Sequence, residues 1–145
     1  MQLAVKPLLC FALLATLGCA AASLDFSGKA YALQEAQRRY TELVRWGEIE
    51  RASAYVDPAL TADFLITAER FQGIRFTDFE SGPLQFGEGS DTATVDVVYR
   101  AYSTRTLVDK KFIEHQQWYR EASADNGWRV RPNLAAIAKE LSGPR

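Results

Sequence analysis

Between Ala30 and Trp46 the apolar residues Leu33, Ala36, Tyr40, Leu43 and Val44 recur at three- and four-residue spacing, whereas beyond Gly73 apolar residues recur at every second position. Helical side chains return to one face about every 3.6 residues and strand side chains every second residue. The first spacing is therefore the stripe of an amphipathic helix, and the second is the alternation of half-buried strands. A chain that changes period once, near its middle, places its helices first and its sheet afterwards. That is an α+β architecture with N-terminal helices packed on one face of an antiparallel sheet.

The punctuation agrees with that division. Gly47 follows the last periodic position and ends the first helix, and Glu48 begins a shorter segment with Ile49, Ala52, Ser53 and Val56 on one face. Asp57-Pro58 supplies a cap and a first-turn proline. A third helix is expected over 62–71, with Phe64, Leu65, Ala68 and Phe71 facing inward. After Gly73, "IRFTDF" alternates, Ser81-Gly82-Pro83 interrupts and "LQF" resumes, as in a strand broken by a bulge or bend. In "TATVDVVYRAY" one face carries Ala93, Val95, Val97, Tyr99 and Ala101, the other Thr94, Asp96, Arg100 and Tyr102, and only Val98 breaks the alternation. A long strand over 110–121 holds Phe112 and Trp118, Asp125-Asn126-Gly127 forms a hairpin turn, and "WRVRPN" returns until Pro132. Residues 134–141 form a short terminal helix with Ile137, Ala138 and Leu141 on one face.

The 145 residues suit one domain, and 48% hydrophobic with 24% charged residues describe an ordered globular chain. Both cysteines, Cys10 and Cys19, lie in the opening apolar segment, so a domain beginning after it has no disulfide, thiolate nucleophile or cysteine-held zinc. Lys6 followed by the uncharged run Leu8 to Leu17 has the length of a secretory signal's apolar region and falls short of the roughly 20 residues of a membrane span. Two cleavage sites compete: before Cys19, or after Ala22, where small residues surround the bond. The expected organisation is a signal over 1–18 (alternatively 1–22), a tether over 19–29 and a single domain over 30–141. Setting aside 1–18, whose only charge is Lys6, changes 17 basic and 18 acidic residues into 16 and 18. That balance offers no positive footprint for nucleic acid.

The run Ala15-Thr16-Leu17-Gly18-Cys19 resembles the bacterial lipoprotein signal, with Thr16 where that family most often has leucine. The resemblance implies cutting before Cys19, attachment of acyl chains such as palmitate to Cys19, and a lipid-anchored envelope protein facing the periplasm. Ala20 after the cysteine favours the outer membrane; the alternative cut implies a soluble periplasmic or secreted protein. From Leu33 to Asn133 the chain resembles the nuclear transport factor 2-like superfamily: an opening amphipathic helix, two short helices, then a sheet ending in "KKFIEHQQWYREA" and "NGWRVRP" with Trp118 and Trp128 on successive strands. This implies a strongly bent antiparallel sheet forming a cone-shaped cavity with the helices, and the homodimerisation through the sheet that is common in the superfamily. It implies no single activity, since that superfamily contains enzymes and binding subunits alike.

His115 is the only histidine, beside Glu114 and Gln116, but adjacent strand residues point to opposite faces, so Glu114 and His115 do not act as a pair. The ordinary role for His115 is a surface hydrogen bond. A cavity enzyme of isomerase or hydratase type needs a carboxylate base and a tyrosine or protonated acid as oxyanion donor. The available carboxylates are Asp78, Asp96 and Glu114, and the available tyrosines Tyr55, Tyr99, Tyr102 and Tyr119. The pairs Arg38-Arg39, Lys110-Lys111 and Arg129/Arg131 have acidic neighbours and read as solvated faces or local ion pairs, and Trp46, Phe64, Phe71, Trp118 and Trp128 read as core. No phosphate-cradling glycine loop, nucleophile elbow or metal motif is present, and no cofactor is expected. The leading expectation is a non-catalytic envelope lipoprotein that uses its cavity or sheet face to bind a partner protein or a small apolar ligand. The cavity enzyme is the alternative.

Overall fold

The computed structural model describes residues 17–124 and 127–141. Residues 1–16, most of the expected export signal, lie outside them, as do Asp125 and Asn126 of the expected final turn.

Helix α1 runs Leu17–Arg45. It begins well before Ala30, so the segment expected as a tether, Cys19 included, is helical; Ala20-Ala21-Ala22 are strong helix formers and no proline intervenes. Its end is a Schellman turn: Gly47 has φ +73°, its N–H donates to the Val44 carbonyl at 3.0 Å, and the Glu48 N–H donates to that of Leu43 at 2.8 Å. Helix α2 (Ile49–Ala52) runs into a tight turn over Ser53–Tyr55. Asp57 then caps the turn Pro58–Leu60 by accepting the Ala59 N–H at 3.0 Å, and α3 spans Thr61–Glu69. Two inward expectations are corrected here. Trp46, 69% exposed, lies past the last periodic position at the helix end, and the Arg45 guanidinium stacks 4.3 Å over its ring. Leu65, 36% exposed, edges a cleft between α2 and α3 while its neighbour Phe64 takes the core position.

The strands are β1 (Ile74–Ser81), β2 (Gln85–Phe86), β3 (Thr92–Ser103), β4 (Asp109–Arg120) and β5 (Trp128–Arg131), and α4 (Leu134–Leu141) follows. They form one antiparallel, unclosed sheet in the order β1-β3-β4-β5, with β2 also paired to β3 beyond the end of β1. The interruption between β1 and β2 is where the Gly82 N–H reaches the Asp96 carbonyl at 2.8 Å. A bulge between Phe76 and Asp78 inserts one residue, so Phe76 and Phe79, three apart, both turn toward Tyr99, with ring centroids at 5.3 and 6.4 Å. The core lies between the sheet's inner face and the helices, with Leu33, Tyr40 and Val44 from α1, Val97, Tyr99, Trp118, Trp128 and Val130 from the strands, and Ile137 from α4. Lys29 of α1 pairs with Asp91 just before β3 at 3.1 Å, and Arg45 at its other end donates to the Thr77 carbonyl, beside the last residues of β3. Helix α1 and β3 thus run in the same direction. The fold is α+β, helices followed by a five-stranded antiparallel sheet, as the change of period requires.

Candidate functional site

Strand β4 alternates strictly, with Phe112, Glu114, Gln116 and Trp118 inward and Ile113, His115 and Gln117 outward. The inward set places a carboxylate in the centre of the core. The Tyr40 hydroxyl donates to Glu114 Oε1 at 2.9 Å, the Tyr99 hydroxyl to Oε2 at 3.0 Å, and Gln116 Nε2 to Oε2 at 2.8 Å. The Asn133 backbone N–H adds a further donor from the link between β5 and α4. The network continues outward: Trp118 Nε1 donates to Gln116 Oε1 at 3.1 Å, and Gln116 and Gln37 both donate to Thr41 Oγ1, at 3.3 and 3.0 Å. Gln37 also reaches Ser81 Oγ at 3.0 Å.

Tyr40, Tyr99, Glu114 and Gln116 each expose none of their surface, so no water-sized space touches the carboxylate. Burial is the largest influence on Glu114 and pushes its carboxyl above the ordinary value of 4.5, while the donors from Gln116, Tyr40, Tyr99 and Asn133 pull it part of the way back. Burial, and after it the charge of Glu114, raises both tyrosines well above 10.0, so they stay neutral donors. Among the expected residues the structure brings Glu114 and Tyr99 together. Tyr40, which the helical stripe identifies only as a core anchor, completes the set. It sits at helical spacing from Gln37 and Val44, and Thr41 is four residues after Gln37, so the polar pair beside the apolar stripe was the available signal.

The opposite face of the same strands carries Asp96 and His115, register partners whose Oδ1 and Nδ1 lie 2.6 Å apart with both side chains more than half exposed. Tyr102, half-buried, and Asp78, exposed, are on β3 and β1 away from Glu114, and Asp78 Oδ1 accepts the N–H of the next residue, Phe79, at 2.9 Å. Tyr119 carries Arg131 4.8 Å over its ring. Arg131 in turn bonds Asp57 at 3.0 Å and, with the Ala59 N–H, holds that carboxyl below its ordinary value. Arg38 pairs with Glu35 and Glu42, and Arg129 with Glu121. These are the local ion pairs the sequence suggests.

A cleft of about 390 Å³ opens where α1 ends, lined by Trp46, Ile49, Phe71, Ile74 and Phe76 among others. Its wall leads inward through stacked rings, with Phe71 on Phe76 at 5.5 Å and Phe76 on Tyr99 at 5.3 Å, and Glu114 lies behind Tyr99. Among the described residues no group of three or more His, Cys, Asp or Glu side chains is placed to hold a metal ion, and no helix is long and apolar enough to cross a membrane. No protein-family model matches the chain, and no curated protein or solved structure does either.

Proposed function

We propose that this chain is a bacterial envelope lipoprotein, acylated at Cys19, whose nuclear transport factor 2-like domain serves as a binding or assembly module rather than as a cavity enzyme. One observation carries the non-catalytic part: the carboxylate in the centre of the domain is enclosed by donors of its own chain, with no space for a substrate against it. A core filled in this way joins α1, β3, β4 and the approach to α4, and leaves recognition to the outer surfaces. Intact-mass measurement of the protein from a membrane fraction tests the anchor. Acyl mass that disappears in Cys19→Ala supports it, and an unmodified N-terminus at Ser23 overturns it.

The second reading, an isomerase or hydratase, draws on the same residues, because a raised carboxyl facing two neutral tyrosines is a workable proton donor and oxyanion support. It requires the Phe71–Phe76 wall to move and admit substrate from the cleft. Titration with an apolar fluorescent dye separates the two readings. The binding-module reading predicts no saturable uptake into the interior until Phe76→Ala opens it; saturable uptake by the unaltered chain, quenched by loss of Tyr99, favours the enzyme.

A further inference from the structure

The hairpin between β3 and β4 presents apolar side chains to solvent in a braced conformation. Leu107 is 73% and Val108 54% exposed. The loop under them is held by the Leu107 N–H on the Ser103 carbonyl at 2.8 Å and by the Thr104 N–H on the Gly73 carbonyl at 2.8 Å, so these side chains are held outward. Leu107 has φ +55°, a backbone region that a bulky residue seldom adopts and that is retained where the surroundings over-determine it.

The hairpin's own charges are mainly positive, although Asp78 and Glu80 of β1 line a recess together with Arg100 and Lys111. From Arg105 to Lys111 there are three cations, Arg105, Lys110 and Lys111, and one acid, Asp109. The acid is already faced by Arg100 at 3.7 Å, and no ion pair engages the three cations among the described residues. The Thr104–Gly73 bond sets the tip beside the cleft that holds Trp46 and Arg75, which adds an exposed indole and a further cation on the same end of the molecule. Two protruding aliphatic side chains ringed by cations match a bilayer surface, where the apolar groups enter the headgroup boundary and the cations meet anionic lipid. We propose that the β3–β4 hairpin is a membrane-contact site for anionic phospholipid, with Leu107 and Val108 as the inserting residues and Arg105, Lys110 and Lys111 as the headgroup contacts. This site is separate from Cys19 and does not depend on its acylation.

The test uses the full chain with Cys10→Ser and Cys19→Ser, and one environment-sensitive fluorophore attached at Val108→Cys or, as control, at Tyr31→Cys, a more exposed site in the middle of α1 (74% against 54%). Vesicles of phosphatidylglycerol with phosphatidylcholine are compared with phosphatidylcholine alone. The expected result is a blue shift at position 108 on the anionic vesicles only, weakened by salt, with position 31 remaining water-like. Lys110→Glu with Lys111→Glu should raise the lipid concentration needed by at least about tenfold, and Leu107→Ser should do so by a similar factor. A probe at 108 that stays water-like on anionic vesicles overturns the proposal. So does an equal shift at 31, which reports general adsorption, or a shift at 108 indifferent to the two lysines. Circular dichroism of each variant verifies that the fold is kept.

Discussion

Glu114 and His115 are neighbours on β4, and each has an oppositely disposed polar partner at hydrogen-bond distance, yet their surroundings differ completely. Glu114 is enclosed with Tyr40, Tyr99 and Gln116 and exposes nothing; His115 and Asp96 stand more than half exposed on the outer face. One residue of strand parity separates a site where every lone pair must be satisfied by protein from a site where water substitutes freely. Distance alone does not rank these contacts: the shorter one, His115 to Asp96 at 2.6 Å, is the one that solvent screens.

That contrast is open to attack from its strong side first. Glu114→Ala strands two tyrosine hydroxyls and the Gln116 amide in the core and leaves a void, so it should cost about 3–5 kcal/mol of stability by chemical denaturation. A loss below about 1 kcal/mol would mean that water enters and the enclosure is not real. Tyr40→Phe removes one donor and leaves Glu114 Oε1 wanting, with an expected loss of about 1–3 kcal/mol on the same measurement.

The pH dependence follows with a definite sign. Burial raises Glu114 in the folded state, so between the ordinary value of 4.5 and the raised one the native chain holds a proton that the unfolded chain has released. Stability from this group is full below that range and falls as pH rises through it. Glu114→Gln should flatten the fall in a series of denaturation midpoints taken from acid to neutral pH. Asp57 acts in the opposite direction: Arg131 and the Ala59 N–H lower it from 3.8, so its contribution is present above that value and disappears as acid protonates it. The smallest effect belongs to the outer face, where Asp96→Asn should change stability by no more than about 0.5 kcal/mol and diminish further with salt. A larger change there would show that the exposed dyad is braced by something beyond its two residues.

Much of the fold was legible because the change of period at Gly73 is a backbone property written into many residues at once. The break at Ser81-Gly82-Pro83, the cap at Asp57 and the stop at Gly47 each occur where local turn chemistry demands. Trp46 and Leu65 were less legible, because residue type predicts burial only on average and a helix end or groove edge escapes the helical stripe. The site was partly legible in the same sense. Strand parity alone aligns Glu114 with Phe112 and Trp118 and so points it inward, whereas its partner Tyr40 is 74 positions away in sequence, a distance that no local pattern spans. The protrusion of Leu107 was not legible at all, since its positive φ is imposed by hydrogen bonds to Ser103 and by the neighbouring Gly73 turn.

The arrangement around Glu114 also bears on the order in which the chain folds. Its donors come from α1, β3, β4 and the segment before α4, with separations of 74 positions to Tyr40 and 15 to Tyr99. No N-terminal fragment can complete that set. Until the strands and the final segment arrive, the carboxylate belongs in water, and early collapse of α1 onto a partial sheet would trap an unsatisfied charge. Closure by distant contacts of this kind is slow, and a chain cut before Asn133 leaves Glu114 without one of its four donors.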